Sequence, residues 1–206
     1  MTIDTKDMLN SILESISRID YIKPESIPNI PLYMDQVTTF MDAQLASSKR
    51  YAEDKILTKT MINNYAKNNL LPPPDKKKYS KEHMLLLIFI YYYKNLLSIS
   101  DIETLLGPVT EKHFQTESPV SLEDIYTEVF SLRDEQKKRL VEDMKQKFQA
   151  AEDTFSQAPE QEREFLRLFA FISELAFDVY LKKLVIESLI DQLREETPSP
   201  KDKKRR

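Results

Sequence analysis

The sequence predicts a mostly α protein, and three observations carry that prediction. Gly107 is the only glycine among 206 residues, whereas hairpin-rich folds draw repeatedly on glycine for turns with positive φ. Apolar residues recur at helical spacing through most of the chain. From Glu160 to about Glu195 that spacing runs on as one long helical stretch. The same scarcity of glycine excludes phosphate-cradling loops and dinucleotide fingerprints, which need several.

Residues 5–19 read as a short amphipathic helix with Met8, Leu9, Ile12, Ile16 and Ile19 as its apolar positions. Three prolines between Ile22 and Pro31 call for an extended connector. Residues 1–26 are therefore an N-terminal helix with its exit. A second helix is predicted next, its stripe formed by Leu32, Val37, Phe40, Met41 and Leu45, and Ala46–Lys55 reads as a polar loop. Thr58 suits the cap of a third helix running to about Asn68, because its hydroxyl can accept a free backbone N–H. Met61, Ile62 and Tyr65 give that helix an inward face, which leaves Lys59, Asn63, Asn64 and Lys67 pointing mainly outward. Asn69 suits the left-handed position after the helix, and Leu71, standing before Pro72, is disfavoured from helical geometry.

PPPDKKKYS, residues 72–80, reads as a turn-rich loop or small hairpin that exposes Lys76, Lys77 and Lys78. Ser80 can cap the following helix, which carries MLLLIFIYYYKNLL through the core. Its apolar run of ten residues, Met84–Tyr93, is about half of what a membrane span needs. Ser100 and Glu103 match the capping-box pattern, and Gly107-Pro108 is expected to close the helix they start. Residues 121–155 look helical and charged, and Pro159 breaks the chain before the long helix. There Leu168, Ile172, Leu175, Val179, Ile186, Leu189 and Leu193 form one apolar row, widened by Phe165, Phe169, Ala176, Leu184, Val185 and Ile190. A stripe this wide is expected to be buried on several sides. Its aromatics Phe165, Phe169, Phe171, Phe177 and Tyr180 are read as core, with a homodimer interface or a ligand cavity as alternatives. Residues 117–196 form a helical C-terminal region, and 197–206 a disordered basic tail.

Charge is segregated. Lys55–Glu82 holds seven lysines against Asp75 and Glu82, whereas Glu103–Glu196 holds 12 basic and 21 acidic residues. Such asymmetry bears on partners rather than on fold. Cysteine is absent, which excludes disulfides, thiolate catalysis and cysteine metal sites. His83 and His113 have no ligand partner at helical spacing, so no metal site is expected, and both are read as surface or half-buried. No nucleophile–base pair, cofactor motif or catalytic set stands out, and the chain is not expected to be an enzyme. The first residues lack the pattern of a secretory leader. A cytoplasmic protein without a membrane segment is the expectation.

The order of a short helix with a polar outer face, a sharp stop, a basic loop and two further helices is that of a winged helix-turn-helix. TMINNYAKNNLLPPPDKKKYSKEHMLLLIFI followed by SISDIETLL resembles the N-terminal DNA-binding domain of MerR-type transcription regulators. Tyr65 matches the aromatic of their second helix. Leu70, Leu71, Pro72 and Pro73 match its stop, Tyr79-Ser80 the end of the wing, and Ser98–Leu106 the last helix. Asn63 stands where that family carries an arginine, Asn69 where it has glycine, and lysines replace its wing arginines. The loop 46–57 is longer than a tight turn, and the chain past 107 does not match the family's dimerisation coiled coil. Through IPLYMDQV, TKTMINNY, LPPPDKKKYS and LLSISDIE, about Ile27 to Leu106, the chain also resembles a bacterial domain-of-unknown-function family, number eighteen-thirty-six.

The resemblance implies a MerR-like winged helix-turn-helix domain over residues 27–110, followed by the helical region. Accessible lysines suit phosphate contact, and asparagine can pair with adenine in the major groove. Double-stranded DNA is thus the expected partner, met by Lys59, Asn63, Asn64, Lys67, Lys76, Lys77, Lys78 and Lys81. A protein-interaction module that keeps the helix-turn-helix frame without a DNA role is the alternative. A homodimer through the C-terminal helices fits either, and the sequence leaves a small-molecule effector open.

Overall fold

The computed structural model describes residues 5–18 and 20–196. Ile19, read as the end of the first stripe, and the tail 197–206, read as disordered, lie outside the described residues. In chain order the elements are α1 (Thr5–Arg18), β1 (Leu32–Tyr33), α2 (Met34–Gln44), α3 (Lys59–Lys67), β2 (Lys78–Tyr79), α4 (Lys81–Tyr93), α5 (Ile99–His113), α6 (Leu122–Ser131), α7 (Arg133–Glu152) and α8 (Glu160–Glu196). Short 3-10 turns occupy Pro24–Ser26 and Ala46–Ser48. The protein is mostly helical with a long C-terminal helix.

The chain divides into two compact units. The larger runs from Tyr21 to Phe130 and takes in α8 from Ile186. Its centre is α4, where every residue from His83 to Tyr91 is buried, because a helix apolar all round needs neighbours on all sides. Val37 and Met41 of α2, Ile62 and Tyr65 of α3, Ile102 and Leu106 of α5 and Tyr126 of α6 belong to the same core. Tyr126 is fully buried, and its hydroxyl donates to the Ile22 carbonyl at 2.6 Å, so a deep polar atom is satisfied. Phe89, Tyr126 and Phe130 form an aromatic cluster with centroids 4.4–5.5 Å apart. Tyr91 is buried and Tyr92 and Tyr93 are half-buried, so the tyrosine run is core packing. At the end of α8, Ile190 joins this core, and Arg194 reaches Asp101 at 3.0 Å.

The smaller unit is made of α1, α7 and α8 as far as Val185. Leu9, Leu13, Ala151 and Phe171 are its buried residues, with Met144, Phe148 and Leu175 packed against them. Phe148 and Phe171 meet edge to face at 5.4 Å. Lys147 ties α7 to α8 by donating to Asp143 at 2.7 Å and Asp178 at 3.0 Å.

Several sequence expectations change. Leu32 stands in β1, because its backbone pairs with Tyr79, and α2 begins only at Met34. Ser98, not Ser100, caps α5: its hydroxyl accepts the Asp101 N–H while Asp101 accepts the Ser98 N–H. Gly107-Pro108 does not close that helix, which continues to His113. Buried Leu106 and half-buried Val109 hold its inner side, and tertiary packing outweighs the local preference. The region 121–155 is two helices parted at Leu132. The largest difference concerns α8: of its five aromatics read as core, only Phe171 is buried, while Phe165, Phe169, Phe177 and Tyr180 are exposed.

Candidate nucleic-acid interface

α3 owes its sharp boundaries to local chemistry. Thr58 Oγ1 accepts the Met61 N–H at 3.2 Å, the expected N-cap. At the other end Asn69 has φ 56°. Its N–H donates to the Ala66 carbonyl, and the Leu70 N–H to the Tyr65 carbonyl at 2.9 Å. These two bonds make a Schellman motif with asparagine in the usual glycine position. Ile62 and Tyr65 are buried, Met61 is half-buried, and Lys59, Asn63, Asn64 and Lys67 are exposed. The Asn63 and Asn64 side chains make no hydrogen bond among the described residues.

After Pro72–Pro74 the chain folds into a two-residue hairpin. Asp75 and Lys78 bridge across it, the Lys78 N–H donating to the Asp75 carbonyl at 2.8 Å. The two turn residues are Lys76 (φ 46°) and Lys77 (φ 66°), both left-handed. Such turns normally hold Asn-Gly, since a side chain in this region crowds its own carbonyl. β2 continues the hairpin and pairs antiparallel with β1, Leu32 opposite Tyr79 and Tyr33 opposite Lys78. Tyr79 is buried beneath the hairpin, and burial pushes its phenol pKa up.

Ser80 caps α4 with His83 as its reciprocal partner, the Ser80 N–H donating to His83 Nδ1 at 3.0 Å. His83 is buried between Tyr79 and Phe114, with ring centroids 5.4 and 4.8 Å away, which corrects its reading as a surface or half-buried residue. With Nδ1 accepting, neutral His83 carries its proton on Nε2. That nitrogen has no well-formed hydrogen bond; the Pro73 and Pro72 carbonyls interact with it weakly. Burial holds the His83 pKa below its ordinary value, and those carbonyls offset part of the shift.

The eight residues read as DNA-facing separate into two groups. Lys67, Lys76 and Lys77 are exposed and form no ion pair among the described residues, and Asn63 and Asn64 are equally open. The remaining three lysines are engaged. Lys59 pairs with Asp35 at the start of α2. Lys81 lies 2.8 Å from Glu123 and is largely covered. Lys78 is half-buried rather than exposed, its ammonium 5.1 Å from the Tyr33 ring centroid. Tyr33 and Asp35 are two positions apart, so the start of α3 and the hairpin both touch the β1–α2 junction. That junction was not legible as part of the site, because neither contact follows a local spacing.

Among the described residues no group of acidic, histidine or cysteine side chains could hold a metal ion, and no helix is long and apolar enough to cross a membrane. A hollow of the same unit, lined by Pro28, Leu32, Asp35, Gln36, Thr39 and Phe40, is open to solvent and mostly apolar. The geometry defines a helical unit that presents a short asparagine-rich helix beside a lysine-bearing hairpin. Its sequence matches the family described as Domain of unknown function (DUF1836) over residues 22–129. That is more than half of the chain, which belongs to this family. Comparison with curated proteins and with solved structures gives no match.

Proposed function

We propose that this chain is a transcription regulator that binds double-stranded DNA through a MerR-like winged helix-turn-helix over residues 27–110. In this reading α3 enters the major groove and the Asp75–Lys78 hairpin is the wing, set against the phosphate backbone. The protein acts in the cytoplasm and performs no catalysis. One observation carries the reading: Lys76 and Lys77 occupy both left-handed positions of the hairpin turn and are exposed. A turn kept for geometry alone would take Asn-Gly there. Backbone strain at an exposed, doubly charged tip points to a use for the charge.

Phosphate contact needs accessible cations on a shaped surface, and each contact formed releases condensed counterions. Lys67, Lys76 and Lys77 supply such cations, while Asn63 and Asn64 supply the paired donor and acceptor that match an adenine edge. The shared β1–α2 junction supports placing helix and hairpin on one duplex.

The test is binding of the full chain to mixed-sequence duplexes across a salt series. Binding is expected at low salt, with the slope of log affinity against log salt falling by about 0.9 for each phosphate contact removed by Lys76→Ala or Lys77→Ala. Absence of binding at the lowest salt overturns the reading in favour of a protein-interaction module.

A further inference from the structure

We propose that the joint around His83 is an acid-operated release for the Asp75–Lys78 hairpin: a neutral imidazole holds the hairpin against the start of α4, and a proton on Nδ1 lets it go. That the release also loosens bound DNA rests on the reading above. Several segments meet at this ring. Tyr79 of β2 packs edge to face at 5.4 Å, and Phe114, at the end of α5, does so at 4.8 Å. The Ser80 N–H donates to Nδ1 at 3.0 Å, and the Ser80 hydroxyl lies 2.8 Å from the same nitrogen. The Pro72 and Pro73 carbonyls, on the way from α3 into the hairpin, also interact with the ring. His83 is 2% exposed and Tyr79 4%, so the strands entering and leaving the hairpin close on one side chain.

This geometry accommodates one protonation state. Nδ1 is an acceptor here; protonated, it is a donor and meets the Ser80 N–H donor to donor. The Ser80 hydroxyl can turn to accept the new proton, which still leaves the Ser80 N–H without an acceptor. The added charge stands in the first turn of α4, where the aligned peptide dipoles present their positive end, and the two rings keep water from it. Charged groups of the neighbouring elements are engaged elsewhere. Lys78 of β2 lies over the Tyr33 ring, Lys81 pairs with Glu123 of α6, and Glu82 accepts the Gln115 N–H at 2.9 Å. His113 of α5 has Nδ1 2.8 Å from the Val120 carbonyl, and Lys112 and Asp75 are exposed.

The hairpin is the part that yields. Met84–Ile90 of α4 are buried in the core, so the helix cannot turn the ring outward. The hairpin is held by a two-residue ladder with β1 and by Tyr79. Hydrating the imidazolium therefore lifts Tyr79 and Ser80, and Lys76 and Lys77 move with them. Burial keeps the ring neutral at neutral pH, and the hairpin stays closed there. In the DNA reading the closed hairpin and the duplex favour each other, and one linked proton limits the loss of affinity to about tenfold per pH unit.

The test follows the full chain from about pH 8 to about pH 5, a span that brackets the ordinary histidine range. The His83 titration is read by NMR, hydrogen exchange at the Lys78 and Ser80 amides is referred to that at Leu87, and affinity for mixed-sequence duplex is measured at fixed ionic strength. As His83 titrates, the two amides are expected to gain exchange relative to Leu87, and affinity to fall by up to about tenfold per pH unit. His83→Gln should match the parent at the upper pH and lose both responses, whereas Glu82→Gln, which removes the adjacent carboxyl, should keep them. If His83→Gln does not fold, titration and exchange in the unsubstituted protein decide the matter. Amides equally protected with His83 charged and neutral overturn the release, as does an unchanged response in His83→Gln. Opening of the hairpin with constant affinity overturns its coupling to DNA. Absence of duplex binding at every pH overturns the DNA reading instead, and exchange measured without DNA then decides the release alone.

Discussion

Lys78 and Tyr33 are cross-strand partners, and the Lys78 ammonium sits 5.1 Å from the Tyr33 ring centroid. The hairpin is thereby fastened to β1 by a side-chain contact as well as by its backbone ladder. A cation over an aromatic face contributes about 0.5–1 kcal/mol at an exposed site. Lys78→Ala should therefore lower stability by about that amount in urea titration. It should change the salt dependence of DNA binding less than Lys76→Ala or Lys77→Ala, whose ammonium groups are open.

The turn residues predict the reverse. A non-glycine residue in the left-handed region costs roughly 1–2 kcal/mol, and Asn-Gly relieves most of it at a small entropic cost. The Lys76→Asn/Lys77→Gly double variant should be more stable than the parent by about 1 kcal/mol in the same titration. Its duplex affinity should fall at moderate salt. A gain in stability without a loss of binding would remove the reason given for the lysines.

His83 makes the hairpin–α4 joint sensitive to acid. Its folded pKa is lowered by burial, so below the ordinary histidine pKa near 6.5 the unfolded chain takes up a proton that the folded chain refuses. Its stabilising contribution is complete above that value and is lost progressively as the pH falls towards the lowered folded pKa. Protonating Nδ1 would also remove the acceptor for the Ser80 N–H. His83→Gln keeps a reciprocal capping partner for Ser80 and should flatten the pH dependence of stability below about pH 6.5, measured by thermal melts against the parent.

What could be read from the sequence was what short-range chemistry decides. Thr58, Asn69 and Ser80 mark the limits of α3 and the start of α4 because a cap acts within three or four residues. Ser98 and Ser100 both begin an S-x-x-acid pattern, so sequence could not choose between them; the hydrogen bonds with Asp101 settle it at Ser98. Periodicity identified which residues of α8 share a face, but nothing in a helical repeat says whether that face finds cover within the same chain. The candidate site was half legible for a related reason. Lys81 reads as free because Glu123 lies 42 positions away, and Lys59 reads as free because Asp35 belongs to another helix.

That pairing gives a further prediction. Lys81 is held by Glu123 at 2.8 Å with only 21% of its side chain exposed, so its charge is largely neutralised where it stands. Lys81→Ala should leave the salt slope of DNA binding close to that of the parent. Glu123→Gln releases the ammonium and removes a negative charge, and is expected to raise duplex affinity at moderate salt and steepen the slope by up to about 0.9.

Asn63 and Asn64 test base reading apart from phosphate contact. Both stand on the open face of α3 with unengaged amides, and an amide can make a bidentate pair with an adenine edge whose loss costs about 1–3 kcal/mol of discrimination. A neutral side chain releases no counterion, so the salt slope should not move when it is removed. Duplexes selected by the parent from a random pool provide the comparison. Against them, Asn63→Ala or Asn64→Ala should bind preferred and mixed sequences with nearly equal affinity while keeping the parent's slope. The Lys76→Ala/Lys77→Ala variant should weaken binding to both classes alike and flatten the slope. Loss of preference from the lysine variant, or a changed slope from the asparagine variants, would mean that the helix and the hairpin do not divide the work in this way.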